Sequence, residues 1–297
     1  MSRIEHALER ASLMRGPAGG MGRPVTMNAL RGTCDPSVFQ PVEGGVEEAA
    51  VDRHIVCITD PDSQAAEEYR KLRARIFKVT EKDFLNTIMV TSSQSGEGKS
   101  VTALNLAVAI AHELDHTVLL IDADLRKPSI HTYLGLQPSR GLSDYLTSDQ
   151  DLSGMLVKTG IGKLVLLPAG KPPKNPAELV ASERMRGLVR EVKQRYGDRY
   201  VIFDSSPLLM AADAMSLCGC VDAMLFVVQG LRTTPRIAAQ ALSYVKNYNV
   251  IGTVFNNVSQ GITQNFSPYY GRYGTGGTEK SPDKGGNGRN EPGHEAV

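Results

Sequence analysis

The sequence predicts an α/β fold, in which a predominantly parallel sheet carries helices on both faces and the chain has flexible tails at both ends. Two observations support this prediction. Apolar runs rich in β-branched residues alternate along the chain with longer stretches of helical periodicity. Two of these runs end directly in aspartate, which is typical of buried strands that present polar groups at one edge of a parallel sheet.

Two segments precede the predicted folded domain. Residues 1–15 place their apolar side chains at helical spacing, which predicts a short amphipathic helix. This helix either docks on a partner or a membrane surface or is a frayed end, because isolated helices of this length are marginal in water. Residues 16–52 are rich in Gly and Pro without a sustained period, so we expect a flexible linker.

The folded domain is predicted to span residues 53–257. It opens with a short strand or extended lead-in from His54 to Thr59, followed by a helix from Asp62 to Val79. This helix places one glutamate and two arginines on the same side, three residues apart: Glu67, Arg70 and Arg73. They form either a solvated charged face or a self-association surface, because such groups can pair with the same groups of a second copy.

The stretch from Thr91 to Ser100, TSSQSGEGKS, is a variant phosphate-binding loop. It follows the apolar run Ile88 to Val90 and opens into the helical pattern VTALNLAVAIAHEL. A strand, a glycine loop ending in Gly-Lys-Ser and a helix together surround anionic oxygens with backbone N–H groups at a helix N-terminus. The usual pattern starts with glycine, where this chain has Ser93. The sequence therefore predicts a P-loop NTPase-type domain.

The residue types in this loop fit the chemistry of a nucleotide bound with Mg²⁺. Gly96 and Gly98 let the backbone approach the phosphates, and Lys99 brings a positive charge to the β and γ oxygens. The hydroxyl of Ser100 suits Mg²⁺. We expect ATP and Mg²⁺ as cofactors, with the nucleotide contacted by Ser95, Gly96, Glu97, Gly98, Lys99, Ser100 and Val101.

Aspartates follow two further predicted strands. The run from Thr117 to Ile121 leads into Asp122 and Asp124, and the run from Tyr200 to Phe203 leads into Asp204. Ligands of parallel α/β sheets sit at the carboxyl ends of the strands, so these acids should lie beside the phosphate-binding loop. Asp204 would then resemble the strand-end aspartate that holds Mg²⁺ in P-loop enzymes.

The remaining elements continue the alternation. Helices are predicted at Gly141 to Leu146, Leu152 to Lys158, Asn175 to Tyr196 and Thr234 to Tyr248. Strands are predicted at Lys163 to Leu167, Val221 to Val228 and Ile251 to Asn256. Residues 258–297 have little apolar content and abundant Gly, so we expect a disordered tail. This tail carries three tyrosines: Tyr269, Tyr270 and Tyr273.

Composition excludes several other classes of protein. A net charge of +1 gives no global field that would favour nucleic acid as a partner. No apolar run approaches the roughly 20 residues that span a bilayer, and the N-terminus lacks the apolar core of a signal peptide, so we expect a cytoplasmic protein. The cysteines show no disulfide or metal-site spacing and are expected to be reduced: Cys34, Cys57, Cys218 and Cys220.

The stretch from 67 to 256 resembles the bacterial tyrosine autokinases of capsule and exopolysaccharide systems. The resemblance rests on EEYRKLR, SSQSGEGKS, VLLIDADLRKP, NPAELVAS and VIFDSSP, together with the cluster YYGRY in the tail. The opening SRIEHALER is similar to the soluble, exosortase-associated branch of these kinases. The resemblance implies a tyrosine kinase domain at 53–257 that phosphorylates the tail at Tyr269, Tyr270 and Tyr273.

The resemblance also implies a role for each matching residue. Lys99 and Asp122 would be catalytic, with Asp122 the candidate for accepting the tyrosine proton. Ser100, Asp124 and Asp204 would hold Mg²⁺, the two aspartates largely through water. Arg126 lies where a basic residue can meet nucleotide or phosphate, and Asn256 is a candidate contact to adenine.

The partners follow from the same resemblance. Glu67, Arg70 and Arg73 match an E-x-x-R-x-x-R oligomerisation helix, which implies a homo-oligomer such as a ring. A membrane-embedded regulator of polysaccharide chain length would recruit the kinase to the inner membrane, and no nucleic acid is expected as a partner.

Two other functions remain open at the level of sequence. A partitioning or positioning ATPase of the deviant P-loop class would carry a signature lysine five residues before the loop lysine, where this chain has Gln94. A nucleotide-binding regulatory subunit would act by docking and would barely turn over. Phosphorylation of tyrosine in the presence of Mg²⁺ and ATP distinguishes the kinase from both.

Overall fold

The structure, a computed structural model, describes residues 45–83, 85–194 and 198–258. Within these ranges the centre of the domain is one seven-stranded sheet. Its strands are β1 (Thr87–Ser92), β2 (Thr117–Asp122), β3 (Val157–Lys158), β4 (Leu164–Leu167), β5 (Arg199–Asp204), β6 (Ala223–Gln229) and β7 (Val250–Asn256). Their order across the sheet is β3-β4-β2-β5-β1-β6-β7.

Helices cover both faces of this sheet. They are α1 (Val56–Thr59), α2 (Gln64–Thr80), α3 (Lys99–Ala111), α4 (Ile130–Tyr133), α5 (Leu142–Thr147), α6 (Pro176–Val180), α7 (Glu183–Gln194), α8 (Ala212–Cys218) and α9 (Pro235–Tyr244). Two 3₁₀ turns, Glu48–Ala50 and Leu152–Met155, complete the described elements.

The strands are buried on both sides, and this creates two hydrophobic cores. Ile88 and Val90 of β1 join one core with α3, whereas Met89 between them joins the other core with α7. Alternate residues of a strand point to opposite faces, so an apolar run without polar interruptions fills both cores. This is the physical reason why continuous apolar runs correctly predicted the central strands.

Parallel pairing gathers the carboxyl ends of the strands at one edge. Every described strand pair is parallel except β3 with β4. In the register of β2 and β5, Asp122 lies directly opposite Asp204, and Asp204 is also opposite Val90 of β1. The predicted α/β fold with a predominantly parallel sheet is therefore confirmed.

Three predicted elements differ from the structure. The segment His54 to Thr59 is not a strand: it contains the short helix α1, because Asp52 accepts a hydrogen bond from the His54 backbone at 2.8 Å and turns the chain. The predicted helix Leu152 to Lys158 is only a 3₁₀ turn, after which Val157 pairs with Leu166 as the antiparallel edge strand β3.

The third difference is the predicted helix Asn175 to Tyr196, which is two helices, α6 and α7. The hydroxyl of Ser182 accepts a hydrogen bond from the Met185 backbone N–H at 3.2 Å, so the serine starts a new helix instead of continuing the first. Helix α8 was not predicted, because its seven residues are too few to show a clear period.

The predicted linker 16–52 extends too far. Residues 45 to 52 contact the domain: the backbone N–H of Val46 donates to Thr159, and that of Asp52 donates to Tyr133. The predicted N-terminal helix, residues 16 to 44 of the linker, Cys34 and the three tail tyrosines lie outside the described residues. In the part that is described, no helix is long and apolar enough to cross a membrane.

Candidate nucleotide and metal site

The phosphate-binding loop joins β1 to α3 and depends on two glycines with left-handed backbone conformations. Gly96 has φ +82° and Gly98 has φ +91°, a region that residues with a Cβ avoid. A Cβ at Gly98 would lie 1.8 Å from the amide nitrogen of Asn256. Gly98 is therefore required both by its conformation and by the close approach of β7.

The loop is held in place from the ends of β6 and β7. Glu97 is buried, and its carboxylate accepts hydrogen bonds from the Gln94 backbone and from the hydroxyl of Thr233. Asn256 donates its side-chain amide to the Glu97 carbonyl at 3.1 Å, and Arg232 donates to the Gly96 carbonyl at 3.0 Å. These contacts fix the shape of the loop before any ligand arrives.

Lys99, at the start of α3, points into a cluster of aspartates. Its Nζ atom lies 2.8 Å from Asp124, 3.6 Å from Asp204 and 3.0 Å from the hydroxyl of Ser100. Asp122 is close enough that its charge raises the pKa of Lys99, although the Asp204 and Asp124 charges raise it more. The structure thus brings together the lysine, the serine and all three aspartates that the sequence singled out.

The electrostatics of the cluster are dominated by burial. Burial raises the pKa of Asp122 well above its ordinary value, and the neighbouring Asp204 charge raises it further, while the Ile130 backbone N–H and Lys99 oppose the shift. Burial also raises the pKa of Asp204, with Lys99 and Ser100 opposing it. When all three carboxylates are ionised, one lysine faces three negative charges, and the site has an excess of two.

This donor set fits Mg²⁺. Both carboxylate oxygens of Asp204 and one of Asp122 are buried and make no hydrogen bond to the described part of the chain, which is unusual for buried polar atoms. Carboxylate and hydroxyl oxygens suit a hard cation that is also held by phosphate and water. In the described ranges, no cluster of three His, Cys, Asp or Glu side chains forms a metal site by itself.

An open cleft of about 240 Å³ lies over the loop. Its lining includes predicted residues, namely Ser95, Gly96, Gly98, Lys99, Ser100, Val101 and Asp124. Three residues that sequence reasoning missed also line it: Lys127, Ser129 and Tyr133. They follow β2. Lys127 lies within the motif VLLIDADLRKP but was given no role, and Ser129 and Tyr133 lie beyond that motif, on the path of the chain into α4.

Two side chains that were predicted to contact the nucleotide, those of Arg126 and Asn256, bind other residues of the protein. Arg126 is absent from the described lining of the cleft, and its Nε atom instead lies 3.2 Å from both carboxylate oxygens of Asp213. Asn256 supports the loop through Glu97, as described above. Direct contacts of Arg126 with phosphate and of Asn256 with adenine therefore stay predictions.

The three residues of α2 that were predicted to share one side, Glu67, Arg70 and Arg73, do not form a uniform outer face. Arg70 pairs with Glu67 at 2.7 Å, and both side chains are at least 40% exposed. Arg73 is only 19% exposed and contacts the end of α3, where it donates to the Ala109 carbonyl at 2.8 Å and pairs with Glu113 at 2.6 Å. Helical spacing predicted their common side but not the burial of Arg73.

Comparison with known proteins places this geometry in a family. A family model described as the CobQ/CobB/MinD/ParA nucleotide binding domain matches residues 88–274. The chain is 36% identical over 226 residues to "Tyrosine-protein kinase YwqD" of Bacillus subtilis, covering 75% of this chain and 92% of that protein. It is 28% identical over 212 residues to "Putative tyrosine-protein kinase CapB" of Staphylococcus aureus, covering 71% and 91%.

Solved structures agree with these sequence relatives. The kinase domain of Escherichia coli tyrosine kinase ETK superposes with a TM-score of 0.64 at 28% identity, covering 69% of this chain and 82% of that chain. The BceF tyrosine kinase domain superposes with a TM-score of 0.63 at 30% identity and the same coverage. The chain therefore belongs to the bacterial tyrosine-protein kinases that are built on the CobQ/CobB/MinD/ParA nucleotide-binding domain, and it is an ATP-binding enzyme of that family.

Proposed function

We propose that this tyrosine kinase uses ATP with Mg²⁺ to phosphorylate its own tail at Tyr269, Tyr270 and Tyr273, and thereby regulates exopolysaccharide synthesis or export. The observation that carries the proposal is the ion pairing of Lys99 with Asp124 and Asp204 at the phosphate-binding loop, where Lys99 and Asp124 line an open cleft. A pocket of this kind supports phosphoryl transfer, because positioning and charge neutralisation provide most of the reduction of the activation barrier in that reaction.

Each residue has a defined task in this proposal. Gly96, Gly98 and the backbone of the loop would surround the phosphates, and Lys99 would neutralise the β and γ oxygens. Ser100, Asp124 and Asp204 would hold Mg²⁺, which supplies further charge neutralisation when bound.

Asp122 would orient the attacking tyrosine. One of its oxygens accepts hydrogen bonds from the backbone N–H groups of Ser129 and Ile130, at 3.1 and 3.2 Å. These bonds fix the carboxylate, and its second oxygen makes no hydrogen bond to the described residues. A phenol has a pKa of about 10, so a carboxylate that accepts a late proton is sufficient and a strong base is not needed.

The place where the described chain ends supports access of the tail to a kinase site. The described chain ends at Val258, two residues after Asn256, whose amide contacts the loop. The segment from Val258 to Tyr269 spans on the order of 20 Å as a flexible chain and about 40 Å at full extension. Both a subunit's own site and a neighbouring site are therefore within reach.

We favour transfer between subunits. Glu67 and Arg70 are exposed on α2 and can exchange their ion pair for the same groups on a second copy. Arg73 connects this helix to the end of α3, which begins at the phosphate-binding loop. An oligomer formed through α2 would hold a second copy of the tail beside each subunit.

The membrane partner in this proposal is the cytoplasmic end of a membrane-embedded regulator of polysaccharide chain length. The protein would be cytoplasmic and recruited to the inner membrane by this regulator. The resemblance to kinases of capsule and exopolysaccharide systems supports this part. Binding of the purified kinase to a peptide of the regulator's cytoplasmic end would test it, with and without residues 1–15.

The decisive experiment is incubation of the purified full-length protein with ATP and Mg²⁺, followed by mass spectrometry of the tail. We expect phosphate on at least one of the three tail tyrosines, and none in Lys99→Met. To test transfer between subunits, Lys99→Met is mixed with an active variant in which all three tail tyrosines are Phe. Phosphate on the Lys99→Met tail supports transfer to a neighbour, and its absence restricts the reaction to a subunit's own tail. An unmodified wild-type tail would contradict the proposal.

A further inference from the structure

Ser206, two residues after the strand-end aspartate Asp204, lies between two carboxylates. Its hydroxyl oxygen is 3.0 Å from Oδ1 of Asp124 and 3.0 Å from Oδ2 of Asp213. All three side chains are buried. A serine hydroxyl has one proton, so it donates to one of these carboxylates at a time.

The orientation of Asp124 is determined by three donors. Lys99 contacts its Oδ2 at 2.8 Å, and the Lys127 backbone N–H and the Ser206 hydroxyl both reach its Oδ1, at 3.1 and 3.0 Å. Lys99 would also have to serve the nucleotide phosphates in the proposed function. Ser206 and the Lys127 backbone are therefore the contacts that can hold Asp124 when the lysine turns to its ligand.

Asp213 lies on the other side of Ser206, as the second possible acceptor of its proton, and Arg126 lies behind Asp213. Asp213 lies in the first turn of α8 and is almost fully buried, which requires compensation of its charge. Arg126 provides this compensation, because its Nε atom contacts both carboxylate oxygens at 3.2 Å. The result is a continuous series of contacts from Arg126 through Asp213 and Ser206 to Asp124.

We propose that Ser206 is a positioning residue, which holds the Asp124 carboxylate in the orientation that Mg²⁺ with nucleotide requires. The proposal rests on the assignment of Asp124 to the metal site in the proposed function. Hydrogen bonds to a metal-binding carboxylate fix its direction, and loss of such an outer partner typically lowers metal affinity about 10- to 100-fold.

The neighbouring serine offers a matched control. Ser205 is also buried, but its hydroxyl donates to the Val90 carbonyl at 3.0 Å and to the Ser206 carbonyl at 3.2 Å. Both contacts are to backbone, and neither reaches a carboxylate. Ser205→Ala and Ser206→Ala therefore remove the same group from adjacent buried positions, and only the second removes a contact to Asp124.

The test measures binding rather than catalysis. Calorimetry measures the affinity of the full-length protein for a non-hydrolysable ATP analogue, once in excess MgCl₂ and once in EDTA. The affinity in MgCl₂ divided by the affinity in EDTA is the gain from Mg²⁺. We expect Ser206→Ala to lose about tenfold or more of this gain while its affinity in EDTA stays near that of the wild type. Ser205→Ala should keep the full gain.

A double variant shows whether Ser206 acts through Asp124. Once Asp124→Asn has removed the metal-binding carboxylate, adding Ser206→Ala should cause no further loss of the gain. If Ser206→Ala fails to fold, Ser206→Cys, which keeps a side chain of similar size but donates weakly, should show the same direction of change. Thermal denaturation verifies folding of each variant.

Different results would overturn different claims. Three results would each refute the positioning role alone, provided that Asp124→Asn abolishes the gain from Mg²⁺. In the first, Ser206→Ala keeps the full gain. In the second, it loses as much affinity in EDTA as in MgCl₂. In the third, Ser205→Ala loses as much of the gain as Ser206→Ala. If Asp124→Asn itself keeps the gain, the metal assignment in the proposed function is wrong and the positioning role falls with it.

Discussion

The Nζ atom of Lys99 lies 2.8 Å from a carboxylate oxygen of Asp124, and both side chains are at least nine-tenths buried. The same lysine also pairs with Asp204, at 3.6 Å. One residue of the phosphate-binding loop therefore neutralises acids delivered by two different strands. The charge balance of the buried site therefore depends on this lysine.

Lys99→Met should destabilise the protein in the absence of ligand. Removing one partner of a buried ion pair leaves an uncompensated charge, which typically costs about 3 to 5 kcal/mol. Urea unfolding at pH 7 in EDTA measures the free energy of unfolding. Lys246→Met, at an exposed position, is the control and should change it little. Equal free energies for the two variants would mean that the acids do not depend on Lys99.

Asp122→Asn should stabilise the protein, by an amount that grows with pH. Burial and the Asp204 charge raise the pKa of Asp122 in the folded state above its value of about 3.9 in the unfolded chain. Between these two pKa values the folded state holds a proton that the unfolded chain releases. The Asp122 carboxyl therefore disfavours folding increasingly as the pH rises from its unfolded pKa to its folded pKa.

Asparagine removes this penalty while still accepting the backbone hydrogen bonds of Ser129 and Ile130. We expect a gain of at least about 1 kcal/mol at pH 7, and a smaller gain at pH 4. Urea unfolding of the wild type and of Asp122→Asn in EDTA, from pH 4 to pH 7, gives the difference in their free energies of unfolding. A gain independent of pH would show that titration of Asp122 is not its cause.

Gly98→Ala should abolish tight nucleotide binding. The new Cβ would lie 1.8 Å from the Asn256 amide nitrogen, so the loop or β7 must move. The left-handed backbone adds strain of about 1 kcal/mol or more. The double variant Gly98→Ala/Asn256→Ala removes the clash but not the backbone strain. Its loss of unfolding free energy should therefore differ clearly from the sum of the losses in the two single variants. Simple additivity would indicate that the two residues do not meet.

Arg73→Ala and Arg70→Ala should have different effects. Arg73 holds α2 to the end of α3 through Ala109 and Glu113, so its loss should destabilise the monomer by about 1 to 3 kcal/mol. Arg70 is more exposed, and its contacts to described residues are with Glu67 in its own helix turn and with the Pro61 carbonyl, so its loss should cost under about 1 kcal/mol.

Oligomer formation should depend more on Arg70 than on Arg73, the reverse of their order in stability. If α2 forms the proposed interface, Arg70→Ala should reduce the oligomer measured by light scattering while the stability of the subunit is retained. Unchanged mass for Arg70→Ala, together with a stable Arg73→Ala, would contradict both assignments.

Local patterns determined most of the fold. The strands β1, β2 and β5 follow from continuous apolar runs, because each strand fills a core on both faces of the sheet. The helix α3 follows from a longer apolar stretch of helical pattern, and it packs in one of these cores. Segments with few residues were predicted wrongly, as at His54 to Thr59 and Leu152 to Lys158. In these places a single turn or pairing contact decided the structure.

The sequence by itself also determined the chemistry of the site: a glycine loop with Lys99 and Ser100, and three aspartates that end two strands. Parallel pairing then had to bring them to one edge. Only the tertiary structure decided which other side chains meet them. Ser206 lies 82 positions from Asp124, and Asn256 lies 159 positions from Glu97. Such contacts depend on the order and register of strands across the sheet, which no local period encodes.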